Sequence, residues 1–136
     1  MKGKKHVLIS EHMTKSPLTV ATDAPLLEAR EILREHGIRH LPVLEGKKLV
    51  GILSDRNLKE ALASPGGERF LVQDAMMPDV FAVSPDTELS EVLEEMAEEK
   101  YGCAVVQEKD GKVVGVFTTL DACRLLAELL DDEEDD

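Results

Sequence analysis

Apolar and polar positions follow two rhythms along the chain, and the pair of rhythms occurs twice in the same order. Short apolar runs bounded by turn residues predict strands at residues 18–21, 38–45, 49–54, 80–84, 103–108 and 113–118. Between them the apolar residues recur at helical spacing. The stripes are Leu26, Ala29 and Leu33; Leu58, Ala61 and Leu62; Leu89, Val92, Leu93 and Met96; and a final segment over residues 120–130. Thr22 or Asp23 is placed to cap the first helix, with Pro25 in its first turn, and Gly37 to stop it. Pro85, Asp86 and Thr87 open the corresponding helix later in the chain. The runs E-G-K-K at 45–48 and K-D-G-K at 109–112 read as hairpin turns, and Ser64-Pro65-Gly66-Gly67 is the clearest break. Residues 70–76 read as a short helical turn. Val7, Leu8 and Ile9 suit either an edge strand or a helical turn, and residues 13–17 read as a loop.

The repetition has a fixed register. Val20 and Val83, Asp23 and Asp86, Leu26 and Leu89, and Val43 and Val106 are each 63 positions apart. After the hairpin turn the interval is 64, as between Gly51 and Gly115, Ser54 and Thr118, or Asn57 and Asp121. The pattern predicts an α/β (α+β) chain of two pseudo-symmetric β-α-β-β-α repeats packed as one module, each hiding its open face against the other. The expected divisions are an N-terminal extension over 1–12, repeats over 13–64 and 77–130, a linker over 65–76 and a disordered acidic tail over 131–136.

Composition narrows the function. The 136 residues include 28 acidic and 16 basic ones, for a formal net charge of -12; without the six acids of 131–136 the balance is 22 to 16. Such a body argues against wrapping nucleic acid, and one Tyr, three Phe and no Trp make no stacking platform for single strands. No apolar run reaches membrane length, and the N-terminus lacks the apolar core of a signal peptide. Cys103 and Cys123 fit no metal or redox spacing and read as small core residues. A cytoplasmic protein with reduced thiols is expected. His36 and His40 are four apart, but Gly37 and Pro42 deny them a shared helix face, so they are not read as a metal pair. No triad, metal motif or phosphate loop is present, and an enzyme is not expected.

The candidate chemistry lies where the last strand of each repeat meets its last helix. V-V-G-V-F-T-T-L-D at 113–121 echoes L-V-G-I-L-S-D-R-N at 49–57. The glycine allows another backbone or a ligand to approach closely. A helix start offers unpaired N–H groups and a positive dipole end to a phosphate. The Asp121 carboxylate can accept both hydroxyl protons of a ribose. The same spacing, Thr118 to Asp121 and Ser54 to Asn57, also describes a helix cap.

The segments G-I-R-H-L-P-V at 37–43 and L-V-G-I-L-S-D-R at 49–56 closely resemble the CBS (cystathionine-β-synthase) domain, and two in tandem resemble the CBS pair, or Bateman module. The resemblance spans residues 13–130. It implies binding of an adenine nucleotide (AMP, ADP or ATP), with S-adenosylmethionine or an NAD derivative as further ligands, in clefts between the repeats. Carried over by position, the first site would use Thr19, Val20, Ile38, Arg39, His40, Pro42, Ser54, Arg56 and Asn57. The second would use Phe81, Ala82, Tyr101, Gly102, Cys103, Thr118 and Asp121. Two positions depart from the family pattern. Asn57 stands where the ribose-binding Asp is usual, and a neutral amide makes weaker bonds than a carboxylate. Val105 stands in the second repeat where the first has Pro42. The acids Glu108, Asp110, Asp121 and Glu128 would repel a polyphosphate at the second site. Arg39, His40, Arg56 and Lys59 would offset them across a shared cleft, unless Arg56 and Lys59 are simply a solvated helix face.

Two function classes follow. One is a regulatory adenosyl-ligand sensor acting on a separate protein chain. The other is a ligand-independent scaffold, for which the final helix speaks: Leu125, Leu126, Leu129 and Leu130 put apolar residues on more than one face. Either expects a homodimer through that helix.

Overall fold

The computed structural model describes residues 6–135. In chain order its elements are a 3₁₀ turn Ile9–Glu11, β1 Thr14–Lys15, β2 Val20–Ala21, α1 Leu26–His36, β3 His40–Glu45, β4 Lys48–Ser54, α2 Asp55–Leu62, a 3₁₀ turn Gly67–Arg69, α3 Val72–Ala75, β5 Ala82–Val83, α4 Leu89–Glu99, β6 Cys103–Gln107, β7 Val113–Thr118 and α5 Thr119–Asp135. The described chain forms two compact units. The first comprises residues 17–80 with 110–112; the second comprises residues 6–16, 81–109 and 113–135.

In the first unit β2 pairs parallel with β3, and β3 pairs antiparallel with β4. The predicted stripes supply its core: Leu26, Ala29 and Leu33 of α1 and Leu58 of α2 pack with Leu41, Val43 and Leu53. In the second unit the order is β1-β7-β6-β5, with β5 and β6 parallel and the other pairs antiparallel. Its core gathers Leu89, Val92 and Met96 of α4 with Ala104, Val106 and Phe117.

Both cores draw on residues read from sequence as extension or linker. Ile9 is fully buried in the second unit and Val72 in the first. They stand 63 positions apart, and their backbones bond alike: Ile9 donates to Thr87 O and Val72 to Ala24 O, each at 2.9 Å. Leu89 N donates to Val7 O and Leu26 N to Phe70 O in the same way. Glu11 closes the turn at Leu8 as Asp74 closes the one at Leu71. Thr14 then pairs with Val116, and Met77 bridges Ile52. Each unit thus includes a copy of one short segment, and the duplication reaches back to residue 7. Of Val7, Leu8 and Ile9, Leu8 makes a strand bridge to Glu88 while Ile9 begins a 3₁₀ turn, so both readings of that stretch hold in part.

This segment also explains a miss at the helix starts. No side chain caps α1, whose N-cap is Pro25, nor α4, whose N-cap is Glu88. The Phe70 and Val7 carbonyls take the first helical N–H groups instead, so Thr22 and Asp23 are not needed as caps. The glycines of β4 and β7 serve the same segment. A Cβ on Gly51 would lie 2.6 Å from Met76 Sδ and 3.0 Å from Met77 O, and one on Gly115 would overlap Met13 Sδ. Their close approach admits chain rather than ligand.

Three further expectations change. β5 is two residues long, shorter than the run at 80–84. Cys123 is exposed on α5 and is not a core residue, unlike buried Cys103. Helix α5 runs through Asp135, so 131–135 continue it instead of forming a disordered tail. No Gly or Pro follows Gly115, and adding a residue to a nucleated helix gains a backbone bond per residue fixed. Asp136 lies outside the described residues, as do residues 1–5.

Candidate functional site

In the second unit the strand end and the helix start are tied by one residue pair. Asp121 N donates to Thr118 Oγ1 at 3.2 Å, and Asp121 Oδ2 accepts from Thr118 N at 2.9 Å and from Thr118 Oγ1 at 3.0 Å. This is a closed capping box, so the structural reading of the motif holds. It leaves chemistry available: both recorded bonds fall on Oδ2, and Oδ1 takes none among the described residues. The half-buried carboxylate is oriented and still has accepting capacity. Cys103 is the partner of Thr118 across β6 and β7. Burial, with the Asp121 charge beside it, pushes its thiol up to about 12, so it stays neutral and unreactive. Gly102 O accepts from Thr119 N at 3.1 Å, and Phe81 O from Val105 N at 2.9 Å. The rings of Phe81 and Tyr101 stack with centroids 4.8 Å apart. Ala82 lies beside Val105 in the parallel pair, and Val105, which stands where the first repeat has Pro42, is fully buried.

In the first unit Ser54 caps α2, accepting from Asn57 N at 3.0 Å and donating to Asn57 Oδ1 at 2.7 Å. His40 is the partner of Ser54 across β3 and β4, and Asp55 N donates to Arg39 O at 2.8 Å. An open cavity of about 390 Å³ lies here, lined by the bases Arg39, His40, Arg56 and Lys59 together with Ser54. That volume falls within the range of small-molecule sites. Two acids share the lining: Asp55, 2.9 Å from Lys59, and Glu60, 3.8 Å from Arg56. Burial, reinforced by Arg39, lowers the His40 pKa below its ordinary 6.5 against an opposing pull from Asp55.

The structure therefore gathers Arg39, His40, Ser54 and Arg56 on one cavity, with Asn57 bonded to Ser54. It does not bring Thr19, Val20, Ile38 or Pro42 to that lining. Val20 and Pro42 are buried in the core, which leaves only their backbone for contact. Asp55 and Glu60 escaped the sequence reading, although their four-residue spacing from Lys59 and Arg56 was there to be read. Among the described residues no group of three or more His, Cys, Asp or Glu is arranged for a metal, and no helix is long and apolar enough to cross a membrane.

A strand–helix junction with a capping hydroxyl and a short polar side chain three residues on recurs once per unit. The chain belongs to the CBS domain family, which it matches at residues 9–64 and 72–128. Among solved structures it is similar to an acetoin utilization protein (AcuB) from Vibrio cholerae, described there as putative, with 30% identity and a TM-score of 0.84 over 97% of this chain and 98% of that one. It is similar too to the CBS domain pair of protein MJ0100 in complex with 5′-methylthioadenosine and S-adenosyl-L-methionine. There the identity is 28% and the TM-score 0.83, over 91% of this chain and 98% of that one. A third structure, CBSX2 in complex with AMP, is 25% identical with a TM-score of 0.76, over 90% of this chain and 98% of that one. Among curated proteins it is 36% identical to inosine-5′-monophosphate dehydrogenase of Korarchaeum cryptofilum, over 76% of this chain and 21% of that protein. The chain spans about a quarter or less of the first curated relatives it matches.

Proposed function

We propose that the chain is a regulatory module that binds an adenosine-containing ligand and acts on a separate protein chain. The observation that carries this reading is the Asp121 carboxylate, held by Thr118 at the start of α5 with one oxygen unbonded among the described residues. In this reading Asp121 accepts the ribose diol and Thr118 lies near the phosphate. Tyr101, Gly102 and Cys103, with Phe81 and Ala82, border the base. Ser54 and Asn57 play the matching parts in the first repeat, with Arg39, His40 and Arg56 at the phosphate and Thr19, Val20, Ile38 and Pro42 beside the base. Relatives solved with 5′-methylthioadenosine, S-adenosylmethionine and AMP support the ligand class. Within that class, AMP, ADP or ATP is favoured, ahead of S-adenosylmethionine or an NAD derivative. The setting is cytoplasmic, and the reading is one of binding without turnover, since the junctions offer acceptors and bases but no activated nucleophile.

A thermal-shift panel of AMP, ADP, ATP, S-adenosylmethionine and NADH on ligand-stripped protein tests this. Ligand at a hundredfold excess over its dissociation constant stabilises the fold by about 2.7 kcal/mol. Stabilisation by at least one of the five is expected, and none by any of them overturns the proposal; nucleotide turnover by the purified protein overturns the non-enzymatic part.

A second reading, a scaffold working through a homodimer without ligand, is favoured by one observation. Leu120, Leu126, Leu129 and Leu130 of α5 are each more than half exposed. Both readings expect a dimer through α5, and a monomer by light scattering at high concentration removes it from both. The scaffold reading gains if partner binding ignores every adenosyl compound.

A further inference from the structure

The two strand–helix junctions share a backbone and differ in charge. The equivalent bonds Asp55 N to Arg39 O and Thr119 N to Gly102 O, and the equivalent pairs His40–Ser54 and Cys103–Thr118, fix the correspondence. Every base lining the first-repeat cavity has an uncharged counterpart in the second. Arg39 becomes Gly102, His40 becomes Cys103, Arg56 becomes Leu120 and Lys59 becomes Cys123. The amide of Asn57 becomes the carboxylate of Asp121. Two changes run the other way, from Asp55 to Thr119 and from Glu60 to exposed Arg124.

The bases of the first cavity are open to an incoming anion. Arg39 has no ion pair among the described residues. Lys59 and Arg56 are held only by neighbours four residues away on the same exposed helix face, which is the weakest kind of ion pair. A phosphate brings charge-assisted bonds that outcompete such pairs. At the second junction a phosphate would meet the Asp121 carboxylate with no strand-end base to offset it, whereas an uncharged or cationic 5′ substituent meets no such repulsion.

We propose that the two repeats divide adenosyl ligands by charge: the first takes phosphorylated ones through Arg39, Arg56 and Lys59, and the second takes ones lacking phosphate through Asp121. This rests on the adenosyl-binding reading above and goes beyond it by assigning a ligand class to each repeat.

Calorimetric titration of the ligand-stripped full chain with ATP and 5′-methylthioadenosine tests it. Protein saturated with methylthioadenosine is expected still to take up ATP, with an affinity that falls as salt is raised. The double variant R39Q/R56Q is expected to weaken ATP roughly tenfold or more, the loss of about one charge-assisted contact. The affinity of the same variant for methylthioadenosine should move less than about twofold, which also reports that it is folded. Mutual displacement of the two probes, binding of only one, or equal effects of the double variant on both overturns the division by charge while adenosyl binding stands. Binding of neither overturns the proposed function itself.

Discussion

Asp121 and Asn57 occupy equivalent positions, and their first duty is the same: each side chain accepts from the hydroxyl that caps the following helix. Removing either side chain leaves the backbone-to-hydroxyl cap bond in place but loses the reciprocal side-chain bonds, and so lowers the unliganded melting temperature modestly. The ligand-induced shift separates capping from recognition. Asp121→Ala is expected to lose most of the shift and Asn57→Ala a smaller part, because charge-assisted bonds are about twice as strong as neutral ones. Thermal shift of both variants with the best ligand of the panel checks this, and equal losses would contradict the ranking. His40 gives a test that needs no ligand. Its pKa is lowered in the fold by burial and Arg39, so as pH falls the unfolded chain takes up a proton before the folded one does. The associated stability is fully present above 6.5 and is lost as pH drops through that value toward the folded pKa. Denaturant unfolding between about pH 7.5 and about pH 5.5 should show a larger loss of stability for the parent than for His40→Gln. The other histidines are common to both proteins and cancel in the comparison.

At the scale of elements, the sequence told most where one segment carried its own signal. Every long helix and the two hairpins lie where periodicity and turn residues put them. The helix starts are not legible locally because their partner carbonyls, at Val7 and Phe70, belong to segments distant in sequence. The ends are local and more legible. Gly37 ends α1 in the left-handed region at φ 62°, and Lys100, 63 positions later, ends α4 at the same φ of 62°. Glycine adopts that conformation without strain, whereas a side chain with a Cβ is strained by about 1 kcal/mol. Lys100→Gly is thus expected to stabilise the protein by up to about 1 kcal/mol, net of the greater freedom glycine gives the unfolded chain. Gly37→Ala should destabilise it by about as much, since a Cβ there meets open space and only the backbone angle objects. Chemical denaturation of the two variants measures both. A stabilising Gly37→Ala would mean that the left-handed turn is not what limits that position.

For the molecule as a whole, the internal repeat is the strongest signal in the sequence, yet the short segment that opens each copy carries little of it. Ile9 and Val72, Glu11 and Asp74, and Met13 and Met76 keep the 63-residue register, but they lie in turns too short to carry a periodicity. The charged cavity was half visible: its bases were noted, while their convergence on Ser54 depends on β3 and β4 lying side by side. The early segments turn from connectors into core once the units form. Ile9 and Val72 are each fully buried, one per unit, and each bonds through its backbone to the stretch just before a helix. If residues 7–15 were an appendage, Ile9→Ala would cost almost nothing, as for an exposed position. As part of the core it should cost about 2 to 5 kcal/mol, from lost burial and the cavity left behind. Val72→Ala removes fewer buried atoms and should cost about 2 kcal/mol. Urea unfolding of the two variants and the parent measures both losses on one scale. A near-neutral Ile9→Ala beside a costly Val72→Ala would show that the second unit stands without its segment, and that the equivalence of the two segments is one of sequence and geometry without equal weight in the fold.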